Sequence, residues 1–492
     1  MKIVIGYPPL NHGKEVPQVS QNRQFQWTAG GPLSYFIYPV VPAYAASLLK
    51  TKGYDIYWLD GLAEKMTYGE WKKRLLEIKP DILAIETKTP VVKYHWEIIK
   101  KLKQFQISNF KFQIVLMGDH VTALPEESMQ NCPVDYIITG GDYDFGLLSI
   151  ANHLSKKEKL EDGIYSRPNS KFIVHSSKFK LNHSLDELPV IDRDLTKWDL
   201  YSHKNSNFYR APGAYTMFGR DCYWGRCRFC SWTTLFPGNK FRVMSVEKAI
   251  SEVENLVENY GVKEIMDDSG SFPVGDWTRE FCEEIIKKGY QKKIRINCNQ
   301  RFNSGLTEKD YQLMGKAGFR FILYGLESAS QETLDRLNKN SKVEQIEPSL
   351  RMAKKAGLWP HVTVMVGYPW EKEADIQKTV SFVKNLFRKG LVDTMQATIV
   401  IPYPGTPLFK ECQEKGWLKT QDWNEYDMSR PVMKAGVSDE RLLSAVRDLY
   451  SVSIWNKTFI SNTLKQLKSL DGIKYVSFQG LKYLGKLLEF TS

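Results

Sequence analysis

The chain has 492 residues, of which 42% are apolar, with 68 Lys and Arg against 56 Asp and Glu for a formal charge of +12. That length and apolar share suit about three globular domains, no run approaches the ~20 apolar residues of a membrane span, and Met1-Lys-Ile-Val-Ile-Gly-Tyr-Pro-Pro9 reads as strand and turn rather than a signal peptide. A soluble cytoplasmic protein is expected, whose basic excess is either a solvated surface or a preference for anionic partners.

Residues 1 to 160 alternate short apolar runs with longer amphipathic ones. The runs Lys2–Gly6, Tyr54–Leu59, Asp81–Ile85, Gln113–Met117 and Val134–Ile138 read as five strands with helices between them. β-Branched runs without period-two alternation mark strands buried on both faces, hence a parallel sheet in a doubly wound, Rossmann-like domain. Ligands of such sheets sit beyond the carboxyl ends of the strands. Those ends carry Pro8-Pro9-Leu10, Asp60-Gly61, Thr87-Lys88-Thr89, Gly118-Asp119-His120 and Gly140-Gly141-Asp142. No G-x-G-x-x-G follows the first strand, so a nicotinamide or flavin dinucleotide is not expected. Residues 161 to 210 are polar, include Leu188-Pro189 and Lys204-Asn-Ser-Asn-Phe208, and read as a linker with a little local structure.

From 211 to 410 strand and helix alternate six times. The strands are Ala214–Phe218, Glu264–Met266, Ile294–Asn297, Phe319–Tyr324, His361–Val366 and Met395–Ile401, with helices such as Val246–Asn259, Trp277–Lys288 and Ala374–Arg388 between them. Repeated βα units close into a full or partial barrel whose active site lies at the carboxyl ends of its strands.

Three of the seven cysteines fall within nine residues just past the first of these strands, in Cys222-Tyr-Trp-Gly-Arg-Cys227-Arg-Phe-Cys230. Cys132, Cys282, Cys298 and Cys412 are scattered singly, as in a reduced cytoplasmic protein. Thiolates at the triad's spacing hold a metal ion or a cluster. A structural zinc site is normally closed by a fourth Cys or His, and at short range none follows: His203 lies upstream and the next cysteine is Cys282. By ligand type alone both zinc and iron–sulfur centres stay open.

Residues 411 to 492 turn mainly helical from Asp439 onward. The tail from Asn456 has six lysines against Asp471 and Glu489, with apolar residues at Leu464, Leu467, Leu470, Ile473, Phe478, Leu481, Leu484 and Leu487. A helix of this kind docks on a membrane surface or packs its apolar face on the barrel.

A cysteine triad ending the first strand of a six-unit βα barrel resembles the radical S-adenosylmethionine (radical SAM) superfamily. With the preceding doubly wound domain, residues 1 to 410 look like its cobalamin-binding, methyltransferase-like branch. The resemblance implies a [4Fe-4S] cluster held by Cys222, Cys227 and Cys230, one iron being left open for SAM, and Phe229 before the last cysteine also fits. The family places three residues between the first two cysteines. Here Tyr223, Trp224, Gly225 and Arg226 make four, and Gly225 can absorb the extra residue without strain.

The resemblance further implies SAM contacts at Ser269 and Gly270 of Asp267-Asp268-Ser269-Gly270, at Asn299 and Arg301 of Asn297-Cys298-Asn299-Gln300-Arg301, and at Glu327 and Ser328 of Tyr324-Gly-Leu-Glu-Ser328. Arg301 would pair with the methionine carboxylate in a bidentate geometry, and Glu327 with the ribose or amino group. Taken alone, the first motif reads as an acidic βα turn and Arg301 as a surface ion pair. Val366-Gly-Tyr-Pro369 and Pro402–Pro407 are similar to the family and would shape the pocket. In the sheet domain, cobalamin is implied beside Pro8, Asp60, Thr87, Thr89, Gly118, Asp119, His120, Thr122, Gly140 and Gly141. The family's Asp-x-His-x-x-Gly signature is absent, because Asp119 and His120 are adjacent. Histidine ligation to cobalt is therefore not expected, and His120 alone reads as a capping or turn residue.

The implied chemistry is reductive cleavage of SAM to a 5′-deoxyadenosyl radical, hydrogen abstraction from an unactivated carbon, and methyl transfer from cobalamin to a small-molecule or lipid substrate. A cyclising, ring-rearranging or oxidative outcome without net methylation is the alternative within the branch, and a corrinoid- or metal-binding sensor a distant one. A methylthiotransferase is disfavoured, since no cysteine precedes Cys132. The expected partners are an electron donor such as flavodoxin or ferredoxin and a membrane surface met through the tail, with no nucleic acid. Trp224, Trp232, Trp277 and Trp370 suit an apolar substrate or belong to the core.

Overall fold

Five runs of β-branched residues build the first sheet. Lys2–Tyr7, Asp55–Asp60, Ile82–Thr87, Gln113–Gly118 and Tyr136–Ile138 pair in parallel, in the spatial order second, first, third, fourth, fifth. Ile3, Val4, Ile5, Ile82, Leu83, Ile114 and Val115 are fully buried, as strands covered by helices on both faces require. The order reverses between the first and third strands, which opens a crevice at their carboxyl ends, flanked by Pro8 and Lys88. The computed structural model describes residues 1–10, 15–17, 27–29, 35–108, 111–168, 173–174, 179–203, 208–238, 240–454, 463–464 and 467–489.

The stretch expected to be a linker is instead packed structure. Ile164–Ser166 and Ile173–Val174 extend the first sheet with two antiparallel strands. Beyond them Leu185, Leu188, Ile191 and Tyr201 are buried. Arg193 passes between the domains: its guanidinium lies 4.8 Å from the Tyr38 ring centre and pairs with Glu252 of the barrel helix Val246–Glu254 at 2.5 Å. A polar composition hid this, because the buried apolar residues of the segment are widely spaced and Arg193 is buried in a charged pair. Lys204–Asn207 lie outside the described residues.

Six parallel strands, Gly213–Thr216, Glu264–Asp267, Arg295–Gln300, Phe319–Glu327, Trp359–Val366 and Thr394–Ile399, follow one another in consecutive order. Among the described residues no ladder joins the first to the sixth, so the barrel is partial. The open edge of the sixth strand is covered by helix Asp439–Ile454. Ala397 N–H donates to the Tyr450 hydroxyl at 3.2 Å, and that hydroxyl donates to Ala397 O at 3.1 Å, so one side chain satisfies both edge groups of the residue.

At the opposite end of the barrel from the cysteines, Glu264 accepts hydrogen bonds from Arg320 Nε at 2.9 Å, Asn297 Nδ2 at 2.6 Å and the Tyr209 and Arg210 amides at 2.9 and 2.7 Å. The Arg320 guanidinium lies 4.9 Å from the Trp359 ring centre and 5.7 Å from that of Tyr475. This is the stabilising face of the barrel. Tyr475 belongs to helix Leu470–Glu489, so one side of the basic tail does pack on the barrel. Leu470, Ile473 and Leu481 of the same helix stay exposed, as do Leu464 and Leu467 before it. Lys457 and Lys465, and the side chains of Leu484 and Leu487, lie outside the described residues.

Candidate active site

The cysteine loop leaves the first barrel strand through the short hairpin Gly219–Arg220 with Arg242–Val243. Buried Asp267, at the end of the second strand, accepts from Thr216 Oγ1 at 3.2 Å and from the Phe218 amide at 2.8 Å, and burial pushes its carboxyl up to about 7. Ser269 is fully buried and its hydroxyl accepts from the Gly219 amide at 2.8 Å. A Cβ on Gly270 would stand 2.3 Å from Asp221 O, so glycine is required where the loop passes over this turn. Ser269 and Gly270 thus shape the cysteine loop from beneath, and Cys222 Sγ lies 3.0 Å from Ser271 Oγ. Gly225 has φ +55°, the conformation that accommodates the longer loop.

Strand four ends on an ion pair. Glu327, with φ +62°, accepts from Lys339 Nζ at 2.7 Å, and both side chains are buried. A Cβ on Gly325 would come within 2.4 Å of Glu327 Oε1 and 2.7 Å of Lys339 Nζ, so this glycine makes room for the pair. A non-glycine residue held at positive φ at a strand end is the kind of strain that persists where function selects it. Lys339 Nζ also sits 5.8 Å from the ring centre of Phe229. Arg301 Nη1 donates to Cys227 Sγ at 3.6 Å and Nη2 donates to Lys339 O. Burial pushes the Cys227 thiol up, while the Lys339 and Arg301 charges pull it down. Lys339 was not among the residues singled out from the sequence. It lies in Asn338-Lys339-Asn340, whose two asparagines have φ +51° and +53°, and this turn chemistry was the one local signal.

The other expected SAM residues are held by protein partners. Asn299 Nδ2 donates to Ser269 O at 3.0 Å. Ser328 Oγ donates to Glu371 at 3.2 Å and accepts from the Ser330 amide at 3.2 Å. Glu371 also accepts from the Gly367 and Tyr368 amides, and burial raises it to about 7.

On the sheet side, Asp60 accepts from the Leu62 and Ala63 amides at 2.9 Å and from the Tyr201 hydroxyl at 2.5 Å. Thr87 Oγ1 meets His95 Nδ1 at 2.7 Å. Thr89 Oγ1 meets His120 Nδ1 at 3.3 Å, and His120 Nε2 meets Glu127 at 3.1 Å. His120 is fully buried and edge-on to Trp423 and Trp96. Thr122 Oγ1 donates to Gly118 O at 2.6 Å and accepts from the Gly140 amide at 3.1 Å. Asp119 faces the buried Lys88 at 3.7 Å, and Pro8, just past the end of the first strand, is also buried. A Cβ on Gly118 would stand 2.0 Å from Thr87 O, one on Gly140 would meet Phe179, and one on Gly141 would meet Phe236 at 2.2 Å. The last two glycines therefore serve close packing, Gly141 directly across the domain junction.

Residues 217–383 match the family model described as the Radical SAM superfamily. The chain carries a radical SAM domain. It is 28% identical over 457 residues to an uncharacterized methyltransferase of Pyrococcus horikoshii, covering 92% of each chain. To the anaerobic magnesium-protoporphyrin IX monomethyl ester cyclase of Cereibacter sphaeroides it is 24% identical over 431 residues, covering 84% of this chain and 66% of that protein. Among solved structures, the radical SAM methyltransferase TsrM of Kitasatospora setae superposes with a TM-score of 0.70 at 13% identity over 99% of both chains. The cobalamin-dependent radical enzyme OxsB gives 0.70 at 16% identity over 99% of this chain and 71% of that one. At such identities the likeness is one of fold, and it extends over the sheet domain, the partial barrel and the C-terminal region together.

A radical SAM enzyme calls for an iron–sulfur cluster and SAM, and the barrel mouth fits both. Among the described residues no three His, Cys, Asp or Glu side chains converge as donors to a single ion do. Cys222, Cys227 and Cys230 are half-buried, and a cubane cluster takes each thiolate at its own iron. The Tyr368 hydroxyl and Arg301 Nε are buried with no hydrogen-bond partner, and the charges of Glu327, Glu371 and Cys227 bear on that hydroxyl. Buried orphan donors of this kind await a polar ligand.

Proposed function

We propose that this radical SAM enzyme is a cobalamin-dependent methyltransferase acting on an unactivated carbon of a small-molecule or lipid substrate. The observation that carries the reading is the facing of two ligand-binding ends. The sheet's carboxyl ends abut the cysteine loop, with Gly141 N–H donating to Leu235 O at 2.9 Å and Arg220 reaching Asp142 at 2.7 Å. The Pyrococcus horikoshii relative, matched over nearly its whole length, carries a methyltransferase name.

When bound, the cluster with SAM supplies radical chemistry and cobalamin a transferable methyl group. Cys222, Cys227 and Cys230 hold the cluster. Lys339 and Arg301 meet the carboxylate of SAM's methionine end and Glu327 its ammonium, which matches charges that the fold has already buried. The loops bearing Pro8, Thr87, Thr89, Asp119 and Thr122 line the corrinoid side. His120, engaged at both ring nitrogens by Thr89 and Glu127, would hold the helix after the fourth sheet strand rather than serve as a metal ligand. The buried junction excludes water from the reacting carbon. Electrons come from a flavodoxin- or ferredoxin-type carrier, whose acidic surface the chain's basic excess suits.

The test is an anaerobic assay of the reconstituted enzyme with a strong reductant, quantifying 5′-deoxyadenosine and S-adenosylhomocysteine. Both products are expected, and S-adenosylhomocysteine should disappear when cobalamin is omitted. 5′-Deoxyadenosine alone would instead support non-methylating chemistry of the kind named for the Cereibacter relative, and neither product from cluster-loaded protein would overturn the enzyme reading.

The tail adds a partner to this proposal. Five of the seven exposed large apolar side chains among the described residues are Leu464, Leu467, Leu470, Ile473 and Leu481, with Lys468 and Lys474 among them. An exposed apolar patch beside cations suits an anionic lipid surface. No helix among the described residues is long and apolar enough to cross a membrane, so the contact is peripheral. The full-length protein should sediment with phosphatidylglycerol vesicles and less with neutral ones. Replacing Leu470, Ile473 and Leu481 together by serine should weaken that binding about tenfold or more, since each removes an inserted side chain worth about 1.5–3 kcal/mol. Unchanged sedimentation would sink the membrane contact.

A further inference from the structure

We infer that Arg301 sets the reduction potential of the cluster, and that Trp224, in the lengthened cysteine loop, is the positioning residue that aims it. The inference rests on the reading that the three cysteines hold an iron–sulfur cluster. Resemblance assigned Arg301 to the methionine carboxylate alone. Arg301 is only 5% exposed, and its guanidinium is committed on three sides. Nη1 donates to Cys227 Sγ at 3.6 Å, Nη2 donates to Lys339 O, and the Trp224 ring centre lies 5.4 Å from its carbon.

Trp224 is itself anchored. Its indole N–H donates to Asn338 O at 2.6 Å, and Asn338 Nδ2 donates back to Arg226 O at 3.2 Å. The cysteine loop and the Asn338–Asn340 turn thereby grip the guanidinium between them. Gly225, at φ +55°, supplies the bend that carries Trp224 to this place in a loop with four residues between its first two cysteines. A planar guanidinium is suited to such a grip, because it stacks by its face and donates from its edge at the same time.

A positive charge and an N–H donor at a ligating sulfur favour the more negatively charged, reduced cluster, so they raise its potential. Moving the guanidinium away should lower it. Trp224 touches no ligand in this account and acts only through Arg301.

The full chain, reconstituted anaerobically without SAM, is assayed for iron and sulfide and then titrated potentiometrically, with the reduced cluster followed by electron paramagnetic resonance. Arg301→Met and Trp224→Leu are both expected to lower the reduced-to-oxidised ratio at a fixed potential about tenfold, about 59 mV for a one-electron couple. Trp224→Phe keeps an aromatic face and should stay close to the wild-type midpoint. A wild-type midpoint in both Arg301→Met and Trp224→Leu would overturn the inference, and a shift in Arg301→Met alone would overturn the role of Trp224. If Arg301→Met retains no iron, the contrast between Trp224→Leu and Trp224→Phe decides the matter. A wild-type chain that takes up no iron would overturn the cluster reading itself, an outcome separate from any midpoint.

Discussion

Cys227→Ala is expected to lose its iron and to form 5′-deoxyadenosine and S-adenosylhomocysteine only at the level of an enzyme-free control. Cys227 Sγ accepts from the buried Arg301, the charges of Arg301 and Lys339 both bear on it, and its backbone carbonyl accepts from the Cys230 amide at 3.3 Å. Without it a cluster is left with two thiolates, too few for a stable site with one open iron. Cys282→Ala is the control. Cys282 is fully buried in helix Asp276–Lys287 and burial pushes its thiol up to about 12, so it is an inert core residue. Its loss should cost packing and leave iron content and both products in place. Iron analysis together with mass spectrometry of the two products tests both, and wild-type product from Cys227→Ala would refute the assignment of the triad.

Arg220→Met should be the most damaging substitution at the domain junction. Arg220 is 1% exposed, pairs with Asp142 at 2.7 Å and holds the fully buried Asp144 through two hydrogen bonds. Arg242 also donates to Asp142, at 2.7 and 2.8 Å, but Asp144 would keep only its own helix, through the Phe145 amide. Removing one partner of a buried pair leaves an uncompensated charge, at about 3–5 kcal/mol. Cys222 is two residues away, so the loss reaches the cluster loop as well as the junction. The variant is expected to melt at lower temperature and to hold less iron per chain. Arg220→Met combined with Asp144→Leu removes both charges and should recover much of the thermal midpoint, since paired deletion avoids the stranded carboxylate. A single variant as stable as the wild type would show that the pair carries no such weight.

How far the sequence was legible depends on the range of the signal. All five sheet strands and all six barrel strands lie where their apolar runs placed them, because burial on both faces imposes an unbroken β-branched pattern that is local. Their bounds moved by a few residues, as for Trp359–Val366 and Arg295–Gln300. The strands Ile164–Ser166 and Ile173–Val174 escaped notice, since strands this short at the edge of a sheet carry little pattern. The buried Arg193–Glu252 and Arg220–Asp144 pairs escaped as well, because a charged residue reads as surface until its partner, far along the chain, is known.

The site divides along the same line. Cys222, Cys227 and Cys230 stand out by spacing, and Glu327 was reached only through the resemblance of Tyr324-Gly-Leu-Glu-Ser328 to a family segment. Lys339 could not be found that way: it is one lysine among many, and only the turn at Asn338–Asn340 returns it to Glu327 and Phe229. Gly140 and Gly141, expected beside a cofactor, fit closely against Phe179 and Phe236, the second contact crossing the domain junction, and no local pattern encodes either. By itself, the sequence determined the two βα architectures and the presence of a thiolate triad, because hydrophobic period and thiolate spacing are properties of neighbouring residues, while the chemistry of the triad came from resemblance to a family. Only the tertiary structure decided which charges are buried, which cation faces which sulfur and how the sheet meets the barrel mouth, because those depend on contacts between residues tens to hundreds of positions apart.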